Sequence, residues 1–547
     1  MRRFVCLNLL LLLLTSLVFF RVPFFDFVLI EDTTQLDTNP YLSPISKENL
    51  SNLWKRPHVM YMPLTYSLWS LTTQFSKNRP INQLPQTATG VPKQFRFDPF
   101  IFHLLPFLFH LAMVILLFWL FCFLTSDPIG SFFGSLIFAI HPVQVESVAW
   151  VSSLKEPLGG FLGVLALGLF LLAEEYPPRS KTFRLLFFFS TLSFLMSLFS
   201  NPASISFPLM GFVLLVFLYR KERFQHGIKT LSFWLFLTLP IIVLQHSGPS
   251  WTQPPSSNLN FQQKVILGLD SLSFYFGKLV MPFNLGIDYG RTPYWVFNHT
   301  SIHTTAILFF TFILALTLFL RWNRLNWALA SEGLVLSALL PIFLFNRLLF
   351  QTSSSVADRD LYLAMIGIGL AVAHLTRLWM HKPLVKIALI SYLVVIGTQS
   401  YFQTLNWANS KRLLTVALEI NSQSAIAHHA LGYWNEREEN YPKAIEHYVA
   451  AGKLDPRLSD FTRLANIYLC LKQFNQAKLY FEKALGFNPL SAYAHQGLGL
   501  SYLGLGNKIL ARDSFAKANA LAPNLKMAEN ALRQIQRSIK TAKSSHN

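Results

Sequence analysis

Eleven apolar segments, near 4–22, 100–124, 131–150, 158–173, 184–200, 204–219, 230–246, 303–320, 328–346, 360–377 and 385–402, dominate residues 1–407. Most approach the roughly 17–25 residues that cross a hydrocarbon core as a helix. Lipid offers the backbone no hydrogen-bond partner, so each crossing must satisfy its own N–H and C=O groups. An all-α polytopic bundle of about eleven spans follows. Only 13% of the residues are charged, about half the share of a soluble domain. One further stretch, Val265–Met281, is apolar but holds Asp270 and Lys278. It reads as a helix at the outer surface, or dipping partly in.

The formal net charge of +19 does not call for nucleic acid. Basic residues gather in short turns such as "EEYPPRSKTFR", "YRKERFQHGIK", "RWNRLN" and "RLWMHKPLVK", and short basic loops mark the cytoplasmic side. Arg2 and Arg3 place the N-terminus there as well, and an odd number of spans puts the C-terminus outside. Two large extracytoplasmic pieces result: a first loop of about 26–98 and a domain from 408 to 547. The first apolar run shows no A-x-A cleavage site and reads as a retained anchor. Cys6, Cys122 and Cys470 form neither a metal spacing nor a disulfide framework.

After Ser410 the pattern changes. Three segments, about 425–457, 458–491 and 492–525, end in "LDP", "FNP" and "LAP" at Pro456, Pro489 and Pro523. Aligned on these prolines, Ala444, Ala477 and Ala511 coincide, as do Ala451, Ala484 and Ala518. The aromatics Tyr448, Phe481 and Phe515 coincide too, and so do Leu431, Leu464 and Leu498. Small residues let two antiparallel helices approach, and the proline stops the second. This is the tetratricopeptide pattern of about 34 residues per helix pair. Three units suffice for a curved α-solenoid that docks a peptide or protein.

In the membrane part the charges avoid mid-span. Glu31 and Asp32 follow the first span. His141, Glu146, Lys155 and Glu156 lie in "AIHPVQVESVAWVSSLKEPLGG", the outer connection after the third. Asp288, Tyr289 and Arg291 follow the surface helix, and Asp358, Arg359 and Asp360 precede the tenth span. A transporter would carry ionisable groups near the midplane, on broken helices. Here they converge on one membrane face. A carboxylate there can take a proton from a hydroxyl, while Arg and Lys hold a phosphate and stabilise its charge as it leaves. Together these groups suit transfer of a sugar from a lipid phosphate to a hydroxyl, with inversion. No spacing indicates a metal site.

"FAIHPVQVESVAWVSSLKEPL", "ADRDLYL", "GKLVMPFNLGIDYG" and "SNPASISFP" together resemble motifs of the transmembrane-and-tetratricopeptide-repeat (TMTC) family and its bacterial relatives. These are C-type (GT-C) membrane glycosyltransferases similar to protein O-mannosyltransferases. The resemblance implies a polyprenyl- or dolichyl-phosphate sugar donor, commonly mannose, an extracytoplasmic hydroxyl acceptor, and an acidic base in the first loop. The family has two Asp residues there; this chain has Glu31 and then Asp32. Asp32 is therefore the expected base, supported by Glu31. Arg359 and Lys155 are expected at the donor phosphate, with His141, Glu146, Asp358, Tyr362, Asp288 and Tyr289 lining the pocket. No cofactor is expected besides the lipid-borne donor, and the expected partners are membrane lipid and an acceptor protein bound by the repeats. Two alternatives stay open: a glycolipid or surface-polysaccharide acceptor, and an inactive membrane-anchored scaffold. The chain departs from the family at Asn201, where it has Lys, and at Asp360, where it has Tyr. The compact chain and short array favour a bacterial inner membrane over the endoplasmic reticulum.

Overall fold

The computed structural model describes residues 2–55, 59–77, 85–89, 91–178, 180–218, 224–246, 259–344, 354–523 and 527–535. Parts of the expected first loop and of the basic turn after Leu218 lie outside these residues. The chain forms two compact units. One comprises Met1–Arg79 with Arg96–Ser422, the other Pro80–Phe95 with Gln423–Asn547.

The first unit has a helix at each of the expected segments. Helix α1 is Arg2–Phe19; α2 (Lys47–Lys55) and α3 (Pro63–Thr72) belong to the first loop. Then come α4 (Phe100–Thr125), α5 (Pro128–Ile140), α6 (Val145–Ala149), α7 (Lys155–Ala173), α8 (Lys181–Ser200), α9 (Phe207–Leu218) and α10 (Phe224–His246). They are followed by α11 (Phe261–Val280), α12 (Pro293–Asn298), α13 (Thr300–Trp322), α14 (Asn326–Leu344), α15 (Met365–Trp379), α16 (Pro383–Leu405) and α17 (Ser410–Ile420).

Among the described residues, six helical stretches are long and apolar enough to cross a membrane: Arg2–Phe24, Phe100–Thr125, Val151–Ala173, Lys181–Ser200, Gln225–Gln245 and Pro383–Leu405. The pair Pro128–Ile140 and Pro142–Ala149 makes a seventh if its 52° bend lies within one span. That bend has a cause: Pro142 supplies no N–H and pushes His141 to extended backbone, φ −70° and ψ 137°. Pro202–Leu218, Ile307–Trp322 and Met365–Trp379 are shorter apolar helices at three more of the expected segments. The last expected segment is α14, which carries Glu332 and an internal Pro341. The stretch with Asp270 and Lys278 is α11, opened by a capping box in which Asn260 and Gln263 satisfy each other's backbone N–H.

Close helix contacts rest on small residues, as lipid-embedded packing requires. A Cβ on Gly134 would lie 2.3 Å from the Gly369 carbonyl of α15, and one on Gly163 would lie 1.9 Å from the Phe207 ring. Facing outward, α13 exposes Phe310, Phe312, Leu314, Leu318, Phe319 and Trp322, far more apolar surface than a soluble protein leaves bare.

The second unit is the repeat array, with α18 (Ala425–Arg437), α19 (Tyr441–Leu454), α20 (Phe461–Cys470), α21 (Phe474–Phe487), α22 (Ala492–Gly504) and α23 (Lys508–Leu521). Every residue aligned above is buried: the six alanines, Tyr448, Phe481, Phe515 and the three leucines. The aromatic of each second helix fills the gap left by small residues in the first. This unit also takes in part of the first loop. Lys93 pairs with Glu439 at 3.2 Å, and the Arg437 guanidinium lies 4.6 Å from the centre of the Phe95 ring.

Candidate active site

The turn after α1 delivers two adjacent carboxylates to different partners. Glu31 adopts a left-handed backbone, φ 54°, a strained conformation that tends to cluster at functional sites. Asp32 is fully buried and its carboxylate accepts three hydrogen bonds: Oδ1 from the N–H and O–H of Ser152, and Oδ2 from the N–H of Val28 at 3.0 Å. Burial lifts the Asp32 carboxyl to about 7; the bonds from Ser152 and Val28 oppose that, and the Glu31 charge adds to it. Glu31 accepts one bond from Gln35 Nε2 at 2.9 Å. Burial raises its pKa, while Lys155 and Arg359 pull it down across space. Glu31, rather than Asp32, is thus the first-loop carboxylate that senses both cations.

Those cations come from distant parts of the chain. Arg359 sits on a 3₁₀ turn, Asp358–Leu361, and its Nη1 donates to Glu146 Oε1 at 2.6 Å with both side chains buried. The guanidinium also lies 5.3 Å from the centre of the Trp150 ring, which stacks on Trp407. Burial disfavours its charge, yet Glu146, Asp360, Glu31 and Glu156 hold Arg359 above the ordinary guanidinium value. Lys155, at the start of α7, pairs with Glu156 at 3.3 Å. Next to Arg359, Asp358 accepts from the Tyr289 hydroxyl at 2.6 Å. Its pKa is raised well above the carboxylate range by burial and by Glu146. Glu31, Glu146, Lys155, Glu156, Asp358, Arg359 and Tyr289 therefore form one cluster assembled from four segments, buried apart from the half-buried Glu31 and Tyr289.

Other expected residues have different company. The Tyr362 hydroxyl bonds to His110 Nδ1 at 3.0 Å, and His110 Nε2 donates to the Ala139 carbonyl. His141 ends α5 and meets the Val143 N–H at the edge of bonding distance, 3.5 Å. Asp288 accepts from the Gly290 N–H within its own turn. The two departures from the family motifs each have a local use. Asn201 caps the turn before α9 through the Ala203 N–H, and Asp360 accepts from the Tyr275 hydroxyl at 2.6 Å. Sequence reasoning missed Ser152, Gln35, His110 and Tyr275. His110 alone carried a signal, an ionisable ring inside an apolar run. Among the described residues no group of three or more His, Cys, Asp or Glu side chains is placed to hold a metal ion.

The sequence model of the tetratricopeptide-repeat family matches residues 461–489. Over 491 residues, 80% of this chain, the sequence is 22% identical to the human protein O-mannosyl-transferase TMTC3. The chain is similar to the TMTC protein O-mannosyl-transferases. A Caenorhabditis elegans protein O-mannosyl-transferase is 25% identical over 346 residues, 60% of this chain and 46% of that protein. The chain spans about half the length of the curated TMTC relatives it matches, 48% for the human protein. Among solved structures, the first TPR of Spaghetti (RPAP3) bound to an HSP90 peptide is 26% identical, covering 22% of this chain and 96% of that one, at a TM-score of 0.21.

Proposed function

We propose that this chain is a membrane glycosyltransferase that moves a sugar, mannose by analogy with its relatives, from a polyprenyl phosphate to a hydroxyl of a protein. The observation that carries this reading is that a first-loop carboxylate, Glu31, feels the charges of two cations from segments far apart in sequence, Lys155 and Arg359, on a turn that Asp32 ties to Ser152, just before Lys155. Glu31 acts as the base in place of Asp32, whose oxygens are occupied by Ser152 and Val28. It takes the acceptor proton as the acceptor oxygen bonds to the sugar anomeric carbon. The bond from that carbon to the phosphate oxygen breaks on the opposite face, leaving a polyprenyl phosphate and an inverted sugar linkage. Lys155 and Arg359 meet the charge that builds on the departing phosphate. Asp32 positions the turn, tying Glu31 to the segment that precedes Lys155. The repeats bind the acceptor protein, and the site faces the extracytoplasmic side.

The test supplies labelled polyprenyl-phosphate mannose to membranes bearing the protein and separates protein-bound from lipid-bound label. Label on protein that disappears with Arg359→Ala supports the reading. Label confined to lipid moves the acceptor to a glycolipid. Absence of transfer with the donor bound and the fold intact rejects the enzyme.

A further inference from the structure

One face of α5 borders an open apolar groove. Phe132, Phe133, Leu136 and Ile140 of α5 form one wall, and α1 and α16 form the others, enclosing about 620 Å³. That volume falls within the roughly 300–1,000 Å³ of ligand pockets. Apart from Thr398 and the Tyr401 hydroxyl, its lining side chains are hydrocarbon. The opposite side of α5 is engaged elsewhere, with the Ala139 carbonyl on His110 and Gly134 against α15. Helix α5 thus stands between the groove and Tyr362.

The groove has a measurable depth. It runs from Leu10 to Val18 on α1 and from Ile390 to Phe402 on α16, about 12 and 18 Å at 1.5 Å per residue. Half of a hydrocarbon core is about 15 Å, so the groove is one leaflet deep. One end is charged. Arg21, two residues past α1, places its guanidinium 4.3 Å from the centre of the Tyr401 ring and 5.4 Å from that of Phe20. Among the described residues it forms no ion pair with a carboxylate. The same end holds Ile140, whose carbonyl accepts from Ser400 at 2.6 Å just before His141.

We propose that this groove holds one acyl chain of an anionic phospholipid, its phosphodiester on Arg21, as a resident lipid rather than as the sugar donor. A polyprenyl tail is several times longer than one leaflet, whereas an acyl chain matches it. Helix α5 also stands between this lipid and the His110–Tyr362 pair. One guanidinium complements the single charge of phosphatidylglycerol, while a zwitterionic headgroup brings its own cation to the site.

The full chain, in micelles with equal phosphatidylglycerol and phosphatidylethanolamine, is read by native mass spectrometry. One retained phosphatidylglycerol is expected, favoured about fivefold, the worth of one basic residue near an anionic lipid. Arg21→Gln is expected to erase that preference. Thr398→Trp, which fills the groove from an exposed position, is expected to erase retention without changing the thermal midpoint. Equal retention of both lipids by the unaltered protein, or an unchanged preference in Arg21→Gln, overturns the proposal. Stoichiometric displacement by polyprenyl phosphate overturns it as well. The readout involves no sugar transfer, so its failure and that of the proposed enzyme are distinguishable.

Discussion

Replacing Asp32 with Asn should stabilise the protein at alkaline pH while impairing its site. In the folded chain burial lifts this carboxyl from 3.8 to about 7, so between those values the folded state holds a proton that the unfolded state has released. Stability from this group is complete below 3.8 and is lost as pH rises through 7. A separation of that size corresponds to about 4 kcal/mol. Asparagine mimics the protonated form at Oδ1, which still accepts from Ser152, but its N–H₂ meets the Val28 N–H where Oδ2 accepted it, a pH-independent cost of about 1–3 kcal/mol. Unfolding titrations of both proteins in one detergent, from pH 4 to 8.5, should show the variant gaining on the unaltered protein from about pH 4 upward and levelling off above about pH 7. The relative gain across that range should be up to about 4 kcal/mol. A variant that is less stable at pH 8, by an amount independent of pH, would refute the reasoning. It would mean that the three hydrogen bonds outweigh burial and that Asp32 is ionised at its ordinary value.

Glu31→Gln should cost transfer about 10²–10⁴-fold, the usual worth of a general base, with the thermal midpoint preserved; full activity would remove Glu31 from the mechanism. In the unaltered enzyme, transfer should fall as pH drops through a point above the ordinary Glu value of 4.5, because burial raises the Glu31 pKa and only the carboxylate accepts a proton. A pH–rate profile with no acid limb above that value would contradict this. Glu146→Gln strips Arg359 of its buried 2.6 Å partner. The expected loss is near the low end of the about 3–5 kcal/mol for such pairs, since Asp360, Glu31 and Glu156 still hold the guanidinium, and denaturant unfolding reads it. Gly163→Ala drives a methyl to 1.9 Å from the Phe207 ring, and a loss of about 1–3 kcal/mol in the same measurement is expected.

The helices were legible in the sequence because their signal is local. Each apolar run had to become a helix, and the repeats announced themselves through alanines and aromatics that recur in register and are now buried together. Crossing length was harder to read. Pro142 and Pro202 cut apolar stretches into shorter helices, and α14 mixes Glu332 and Pro341 into an otherwise apolar run. Within the site, chemistry-bearing residue types could be found, but not their pairings. Nothing near Asp32 in sequence indicates that Ser152, 120 residues away, donates to its carboxylate. Nor does anything near Glu146 indicate Arg359, 213 residues on. Such partnerships arise from packing between distant helices, and no periodicity encodes them.

The solenoid is stitched from two passages of the polypeptide. Pro80–Phe95 belongs to the same compact body as Gln423–Asn547, and Lys93 and Phe95 engage Glu439 and Arg437 across that gap. A fragment cut out downstream of the last hydrophobic helix would therefore lack a piece of itself. Supplying residues 80–95 as a separate peptide, or grafting them onto its start, should restore what the excision removes. During biosynthesis the same arrangement makes an early-emerging loop wait until Arg437 and Glu439 have been made, more than 300 residues later, before its partners exist.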